Sequence, residues 1–299
     1  MKKYIGIDLG GTNVRVACID EQGSILESII RPSLAQEGPD AVIKNLKDMI
    51  SEITLLKECS GIGIGVPGPV DTVKKVMTMS SNLPGFTDYP ICDILEKQFN
   101  MPVYIDNDAN VAGLAEAIVG SGKGSNIVYF TTVSTGIGGA LVVDGKVVSG
   151  YKGYAGEVGN LIIDRTQTSY NHLNDGAFET LCSGSALIRA LREVYKDDSI
   201  DSAKVLFDRY LDKDPIAVDL YEKFINNLAI GFSLVAHICD PEVFVLGGGM
   251  MKSKDVWFND FYQKYLGYVH SGMREVRFEF VSLPEPGIVG AAMLVKSNK

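Results

Sequence analysis

The sequence predicts an α/β protein of two related domains, and three observations carry that expectation. A hairpin broken by glycines and followed by a further strand occurs twice, once in each half. Strand and helix patterns alternate after the first copy. The 299 residues suffice for about two domains, each with its own core.

The first copy begins at Tyr4 and reads Tyr-Ile-Gly-Ile-Asp-Leu-Gly-Gly-Thr. An apolar run rises to one carboxylate, Asp8, and breaks at Gly10-Gly11, with Thr12 behind them. Residues 14–19 resume the apolar run, and Glu21-Gln22-Gly23 turns the chain into residues 25–30. That pattern reads as antiparallel strands whose first connection is a glycine turn with an acid at its lip. Glycines let backbone N–H groups approach a polyanion closely, and the carboxylate can hold a hydrated Mg²⁺ against it. An ordinary glycine hairpin is the competing reading. The dinucleotide fingerprint G-x-G-x-x-G is excluded, because no helical pattern follows the glycines.

Further along, Val42, Ile43, Leu46, Met49, Ile50 and Ile53 fall on one helical face. Residues 61–66 alternate glycine with apolar side chains and read as a buried strand leading into Pro67-Gly68-Pro69. Residues 76–85 read as a loop closing in Ser80-Ser81-Asn82-Leu83-Pro84-Gly85. A short helix over 91–99, a strand over 103–105 and a helix over 111–119 complete a β-β-β-α-β-α-β-α order. Three glycines and two serines between residues 120 and 125 mark the expected boundary.

The second copy runs from 127 to 132 and turns at Ser134-Thr135-Gly136-Ile137-Gly138-Gly139. It returns over 140–143 and turns again at Asp144-Gly145 into Lys146-Val147-Val148. Duplication of this kind suggests that a nucleotide's phosphates lie between two glycine hairpins, whereas two unrelated hairpins are the alternative. A polar stretch follows over 164–175, then a helix from about Ser183-Gly184-Ser185 and a long helical pattern over 215–239. A short buried strand over 243–246 enters Gly247-Gly248-Gly249, either a nucleotide-facing loop or a flexible link. Residues 278–281 form the last strand, and a helix starts at 287.

Composition narrows the class. Hydrophobic content of 46% with 22% charged residues is that of an ordinary water-soluble globular chain. The net charge of −9 argues against a general binder of nucleic acid or anionic membrane, since both require positive surface. Five scattered cysteines, Cys18, Cys59, Cys92, Cys182 and Cys239, lack C-x-x-C spacing and read as buried free thiols. Asp8 interrupts any signal-peptide core, and no apolar run approaches a membrane span, so the cytoplasm is the expected location.

Asp106-Asn107-Asp108 falls where a strand ends and a helix begins, at the lip of an open sheet where ligands gather. A carboxylate there can accept a hydroxyl proton, and an amide beside it offers both donor and acceptor. Asp and Asn are equally at home as helix caps, and spacing alone favours capping.

Four ordered motifs together change that balance. Asp8-Leu9-Gly10-Gly11-Thr12, Asp106-Asn107-Asp108-Ala109-Asn110, Ser134-Thr135-Gly136-Ile137-Gly138-Gly139 and Gly156-Glu157-Val158-Gly159 resemble the ROK family of sugar kinases and sugar-responsive repressors. The likeness runs from residue 3 to Gly290-Ala291-Ala292. It implies a two-domain actin/hexokinase-like (ribonuclease H-like) fold with the active site in the interdomain cleft. Residues 1–120 would form the first domain, 121–286 the larger second, and a closing helix over 287–299 would return to the first. By the same resemblance ATP and Mg²⁺ bind through Asp8, Gly10, Gly11, Thr12, Thr132, Thr135, Gly136, Gly138, Gly247 and Gly248. Sugar binding falls to Gly68, Ser81, Asn82, Asn107, Asp108, Glu157, Asn160 and Glu179, with Asp108 the catalytic base. Read without the resemblance, Glu157 and Glu179 are ordinary surface acids.

The family's structural zinc is not expected. Asn160 stands where the family usually has histidine, and Tyr170, His172 and Ala177 stand where it has thiolates. One plausible ligand remains where four are needed. ROK β-glucoside kinases similarly lack the site. The resemblance therefore implies a zinc-less, ATP-dependent kinase acting on the 6-hydroxyl of a hexose or β-glucoside. N-acetylmannosamine kinase and glucokinase are the nearer alternatives, and a non-catalytic sugar-sensing regulator is the more distant one. ROK repressors carry a DNA-binding extension ahead of the first glycine motif, and with Asp8 so near the first residue of the sequence none is expected here. A homodimer is expected, with neither nucleic acid nor membrane as partner.

Overall fold

Three antiparallel strands open the chain: β1 (Lys3–Leu9), β2 (Asn13–Asp20) and β3 (Ile25–Pro32). Helix α1 (Pro39–Glu52) follows, starting on a proline whose missing N–H costs nothing in a first helical turn. Strand β4 (Cys59–Val66) then pairs in parallel with β1. A small hairpin pairs β5 (Val70–Asp71) with β6 (Val76–Met77), and β6 opens the 76–85 stretch expected to be loop. Helix α2 (Ile91–Phe99), strand β7 (Val103–Asn107) and helix α3 (Asp108–Ile118) complete the series. The sheet order is β3-β2-β1-β4-β7, and Leu46, Met49, Ile50, Ile62, Ile64 and Ile105 lie in its core.

A second five-stranded sheet has the order β10-β9-β8-β11-β12. Its strands are β8 (Ile127–Val133), β9 (Ile137–Val143), β10 (Lys146–Val147), β11 (Val243–Gly247) and β12 (Arg277–Phe280). Between β10 and β11 come α4 (Phe178–Cys182), α5 (Gly184–Tyr195), α6 (Lys204–Leu211) and α7 (Pro215–Cys239). Helix α8 (Lys254–Tyr268) precedes β12, and α9 (Pro286–Ser297) closes the chain.

The computed structural model describes residues 1–165, 170 and 173–298. The chain divides into two units, one of Met1–Phe130, Ala140–Gly156 and Val281–Lys299, the other of Thr131–Gly139 and Glu157–Phe280. This division differs from the expected 1–120 with 287–299 against 121–286, because residues 121–130 and 140–156 fall with the first unit. Helix α3 explains why: a Cβ on its Gly113 would stand 2.7 Å from the Ala140 side chain and 2.9 Å from that of Phe130. Residues 130 and 140 therefore pack on α3 and belong with the first unit.

The core of the second unit is aromatic. Phe244 stacks on Phe278 at 5.0 Å, Phe232 meets Phe244 at 5.3 Å, and Phe261 meets Phe278 at 5.5 Å. In the first unit α9 lies on β1, β4 and α3 at a separation only glycine permits. A Cβ on Gly63 would fall 1.7 Å from the Ala291 carbonyl oxygen, and one on Gly290 would fall 1.6 Å from that of Val111. Both obstacles are backbone and cannot swing aside. Gly290→Ala is accordingly expected to cost about 1–3 kcal/mol of stability. A fall in the urea midpoint at unchanged slope would register it, and an unaltered midpoint would refute the tight packing.

Cys18, Cys92 and Cys182 are buried as expected, whereas Cys59 and Cys239 are half-buried; all five are free thiols. Among the described residues no helix is long and apolar enough to cross a membrane.

Candidate active site

In the first unit, Asp8 is the penultimate residue of β1 and pairs in register with Arg15 on β2 and Gly65 on β4. The turn behind it closes with the Gly10 N–H donating to the Asn13 carbonyl at 3.0 Å. The Ser33 hydroxyl donates to the Gly11 carbonyl at 2.8 Å, and the Ser33 N–H to that of Thr12 at 2.9 Å. Gly11 lies against the Asn82 backbone, where a Cβ would stand 2.7 Å from the Asn82 carbonyl oxygen. The fold thus brings the exposed Ser81-Asn82 loop onto the first glycine turn. Gly287, in the first turn of α9, is close enough that a Cβ on it would sit 3.4 Å from Asp8 Oδ2. Asp8 consequently faces the positive end of that helix.

Strand β7 delivers the second group. Asn107 is the N-cap of α3, its Oδ1 accepting from the Ala109 N–H at 2.8 Å and the Asn110 N–H at 3.4 Å. Its Nδ2 donates to the Gly68 carbonyl at 3.0 Å. Gly68 holds φ +90°, a backbone that favours glycine. The capping role that spacing favoured is real, and it orients the amide against the Gly68 loop. Asp108 follows as the first helical residue, with Oδ1 accepting from the Ala109 N–H at 2.8 Å.

Burial by surrounding protein raises the Asp108 carboxyl above its ordinary value. The Ala109 N–H opposes that shift, and the negative charge of Asp8 adds to it. Asp8 and Asp108 are both exposed residues, reachable from solvent. Asp8 is raised likewise, by burial first, with Arg15 opposing. The Asp108 carboxyl thus senses the charge of Asp8.

In the second unit, Thr132 lies on β8, while Thr135, Gly136 and Gly138 form the second turn and its exit into β9. The start of α5 clamps this turn: the Gly184 N–H donates to the Ser134 carbonyl at 2.7 Å and the Ser185 N–H to that of Thr135 at 3.4 Å. Gly248, at φ +93°, presses on the same strand, where a Cβ would meet the Val133 carbonyl oxygen at 2.3 Å. The Gly247-Gly248-Gly249 loop therefore adjoins the second glycine turn.

Glu179, on α4, reaches that turn as well. Its Oε2 accepts from the Ile137 N–H at 2.8 Å. It also fills the space where side chains on Gly136 and Gly159 would be, at 2.6 and 3.2 Å. One carboxylate thus links the glycine turn to the Gly156-Glu157-Val158-Gly159 segment, a connection that separations of tens of residues conceal in sequence. Glu157 is exposed at the start of that segment.

Asn160 serves its own loop. Its Oδ1 accepts from the Asn174 N–H at 2.7 Å, and its carbonyl accepts from Asn174 Nδ2 at 3.1 Å. The Phe178 N–H to Leu161 carbonyl bond, at 2.7 Å, and an Ile162–Ala177 bridge continue the closure. Tyr170 stacks beneath the Arg189 guanidinium at 3.6 Å, and His172 lies outside the described residues. Asn160, Tyr170 and Ala177 offer neither thiolate nor imidazole, so these positions do not fit a tetrahedral zinc. Among the described residues no group of three or more His, Cys, Asp or Glu side chains gathers around a metal position. A single acid such as Asp8 still suits Mg²⁺, which keeps several waters and takes its other ligands from phosphate oxygens.

Comparison with known proteins finds matches along nearly the whole chain. A family model described as the ROK family matches residues 4–298. A glucokinase of Thermotoga maritima is 31% identical over 311 residues, covering 99% of this chain and 98% of that protein. A β-glucoside kinase of Klebsiella pneumoniae is 30% identical, covering 84% of this chain and 82% of that one. Among solved structures, a ROK hexokinase from Thermus thermophilus aligns with a TM-score of 0.88 at 30% identity, over 99% of this chain and 100% of that chain. The fold is the actin/hexokinase-like α/β fold.

Proposed function

The chain belongs to the ROK family, and on that footing we propose that it is an ATP-dependent sugar kinase transferring the γ-phosphate to the 6-hydroxyl of a glucose-type hexose or β-glucoside. The observation that carries the reading is Asp108, a solvent-reachable carboxylate fixed at the start of α3 with its basicity raised by burial and by Asp8. A general base needs that combination of reach and raised pKa. As the sugar hydroxyl attacks in line, Asp108 takes its proton. Asn107, held by the α3 amides and Gly68, orients the sugar with Glu157 and Glu179. The backbone N–H groups around Gly10, Gly11 and Thr12, and around Thr135, Gly136 and Gly138, receive the phosphates. Mg²⁺, when bound, supplies neutralising charge on the transferring phosphate, and Asp8 is the residue to hold it.

Gly136→Val tests the phosphate role. The added side chain must push Glu179 away from the Ile137 N–H, because the carboxylate occupies the space a Cβ needs. Mg-ATP affinity by calorimetry is expected to fall in a folded variant; unchanged affinity would remove this turn from the nucleotide site.

The sugar is inferred from the loop beyond Glu157. Without the family's histidine, the anomeric end is open to an added group, so a β-glucoside should be phosphorylated at least comparably to free glucose. The Asn160–Asn174 pair closes the loop, and on this reading no zinc is needed to hold it. Activity should survive a zinc chelator in excess Mg²⁺, and stoichiometric zinc by elemental analysis would overturn that. A coupled ADP-release assay over hexoses, N-acetylmannosamine and β-glucosides tests the whole reading. Absence of sugar-dependent ADP release would favour a non-catalytic sensor, and strict selectivity for free hexoses would refute the β-glucoside preference.

A further inference from the structure

Asp106 precedes the two residues assigned to chemistry, yet it faces away from solvent, with only 3% of its surface exposed. Its two oxygens reach three separate parts of the first unit. Oδ1 accepts from the Asn107 N–H at 2.8 Å and from Asn110 Nδ2 at 2.7 Å. Oδ2 accepts from the Ser149 hydroxyl at 3.2 Å. One buried carboxylate therefore joins the end of β7, the first turn of α3 and the segment that follows β10. Burying a carboxylate is costly unless several donors satisfy it, and here three do. An apolar residue could fill the space, but it could not fix the Asn107 peptide and the Asn110 side chain together.

The consequence concerns orientation. The Asn107 N–H fixes the peptide from which the Asn107 and Asp108 side chains depart. Asn110 Nδ2 fixes the helical turn whose N–H groups hold both side chains. We propose that Asp106 is a positioning residue that sets the angle at which Asn107 and Asp108 meet the sugar, without touching substrate itself. This rests on the roles proposed above for Asn107 and Asp108. A displacement of about 1 Å in a reacting group can cost on the order of 10²-fold in rate, so a tether of this kind affects turnover more than ground-state binding.

The surroundings make the idea testable. Behind Asp106 lies a polar cavity of about 330 Å³, lined among others by Lys75, Tyr104, Lys146 and Ser149. Water from that cavity can hydrate a truncated side chain, so Asp106→Ala removes the tether without leaving a dry void. Asp106→Asn supplies a control of the same shape. Its amide oxygen still accepts from the Asn107 N–H and Asn110, and its amide nitrogen can donate to the Ser149 hydroxyl.

The experiment is steady-state kinetics on Asp106→Ala, Asp106→Asn, Ser149→Ala and Asp108→Asn, each checked for a cooperative thermal transition. Asp106→Ala is expected to lose about 10- to 10²-fold in kcat, with KM for Mg-ATP little changed. Asp106→Asn should regain most of that loss. A folded Asp106→Ala with wild-type kcat, beside an inactive Asp108→Asn, would overturn the inference alone. So would an Asp106→Asn as impaired as Asp106→Ala, because hydrogen-bond geometry would then not be what matters. Should Asp106→Ala fail to fold, Ser149→Ala decides: a lowered kcat at unchanged KM supports the tether, and wild-type kcat refutes it. If Asp108→Asn itself keeps its turnover, the catalytic reading falls first, whatever Asp106 shows.

Discussion

Asp108→Asn is expected to lower sugar-dependent turnover at least ~10²-fold, the low end for loss of a general base. The amide keeps the shape and can still take the Ala109 N–H bond seen at 2.8 Å. What it loses is the ability to accept a proton. Sugar affinity should change far less, because an amide also hydrogen-bonds hydroxyls. The wild-type pH profile carries the same information. With Asp108 raised by burial and by Asp8, the acid limb of kcat/KM should lie above the ordinary carboxylate value of about 4. A limb at that ordinary value, or a variant retaining most of its turnover, would remove Asp108 from the mechanism. Stability should move the other way. A carboxyl raised in the folded state binds more protons there than in the unfolded chain, so stability falls as pH rises through the interval between the two values. Asp108→Asn removes that penalty and should melt higher than wild type at neutral pH, with the advantage disappearing below the unfolded carboxylate range.

Asp8→Asn should reduce kcat/KM for Mg-ATP on the order of 10²-fold, comparable to removing one preorganised charge-stabilising group from a transition state. Part of the loss should be recoverable with added Mg²⁺, since the weakened ligand is the one proposed to hold the ion. A second effect distinguishes this from general damage. Asp8 pushes the Asp108 carboxyl upward, so neutralising Asp8 should shift the acid limb of the residual activity to lower pH. A limb that stays in place would show that the two carboxylates do not communicate.

Much of the fold was legible because its patterns are local. The helix expected over 91–99 and the long one over 215–239 match α2 and α7 end to end. In both, apolar spacing and turn residues agree. Helix α8 had no such clarity. Buried Trp257, Phe261 and Tyr265 recur every four residues, but Phe258 and Tyr262 stack beside them and blur the face. Strand β6 falls in the 76–85 stretch that reads as loop, because two-residue strands carry no period. Candidate site residues on glycine motifs could be found from sequence, since glycine marks a backbone requirement wherever it occurs. The long-range partners of carboxylates could not, even for Glu179, which the resemblance names only for sugar. Glu116 accepts from the Ser282 and Leu283 N–H groups more than 160 positions away, and Glu179 bonds Ile137 across 42. A buried acid looks like any other acid until the fold brings its donors to it.

The central claim is transfer of phosphate to a sugar's 6-hydroxyl, and phosphorus–proton correlation NMR of the product tests it most directly. With glucose or a β-glucoside and Mg-ATP, the wild-type protein should yield a product whose phosphorus couples to the two C6 protons, and Asp108→Asn should yield almost none in the same time. Phosphorus coupled to a ring-carbon proton, or ATP consumed with no phosphorylated sugar, would contradict it.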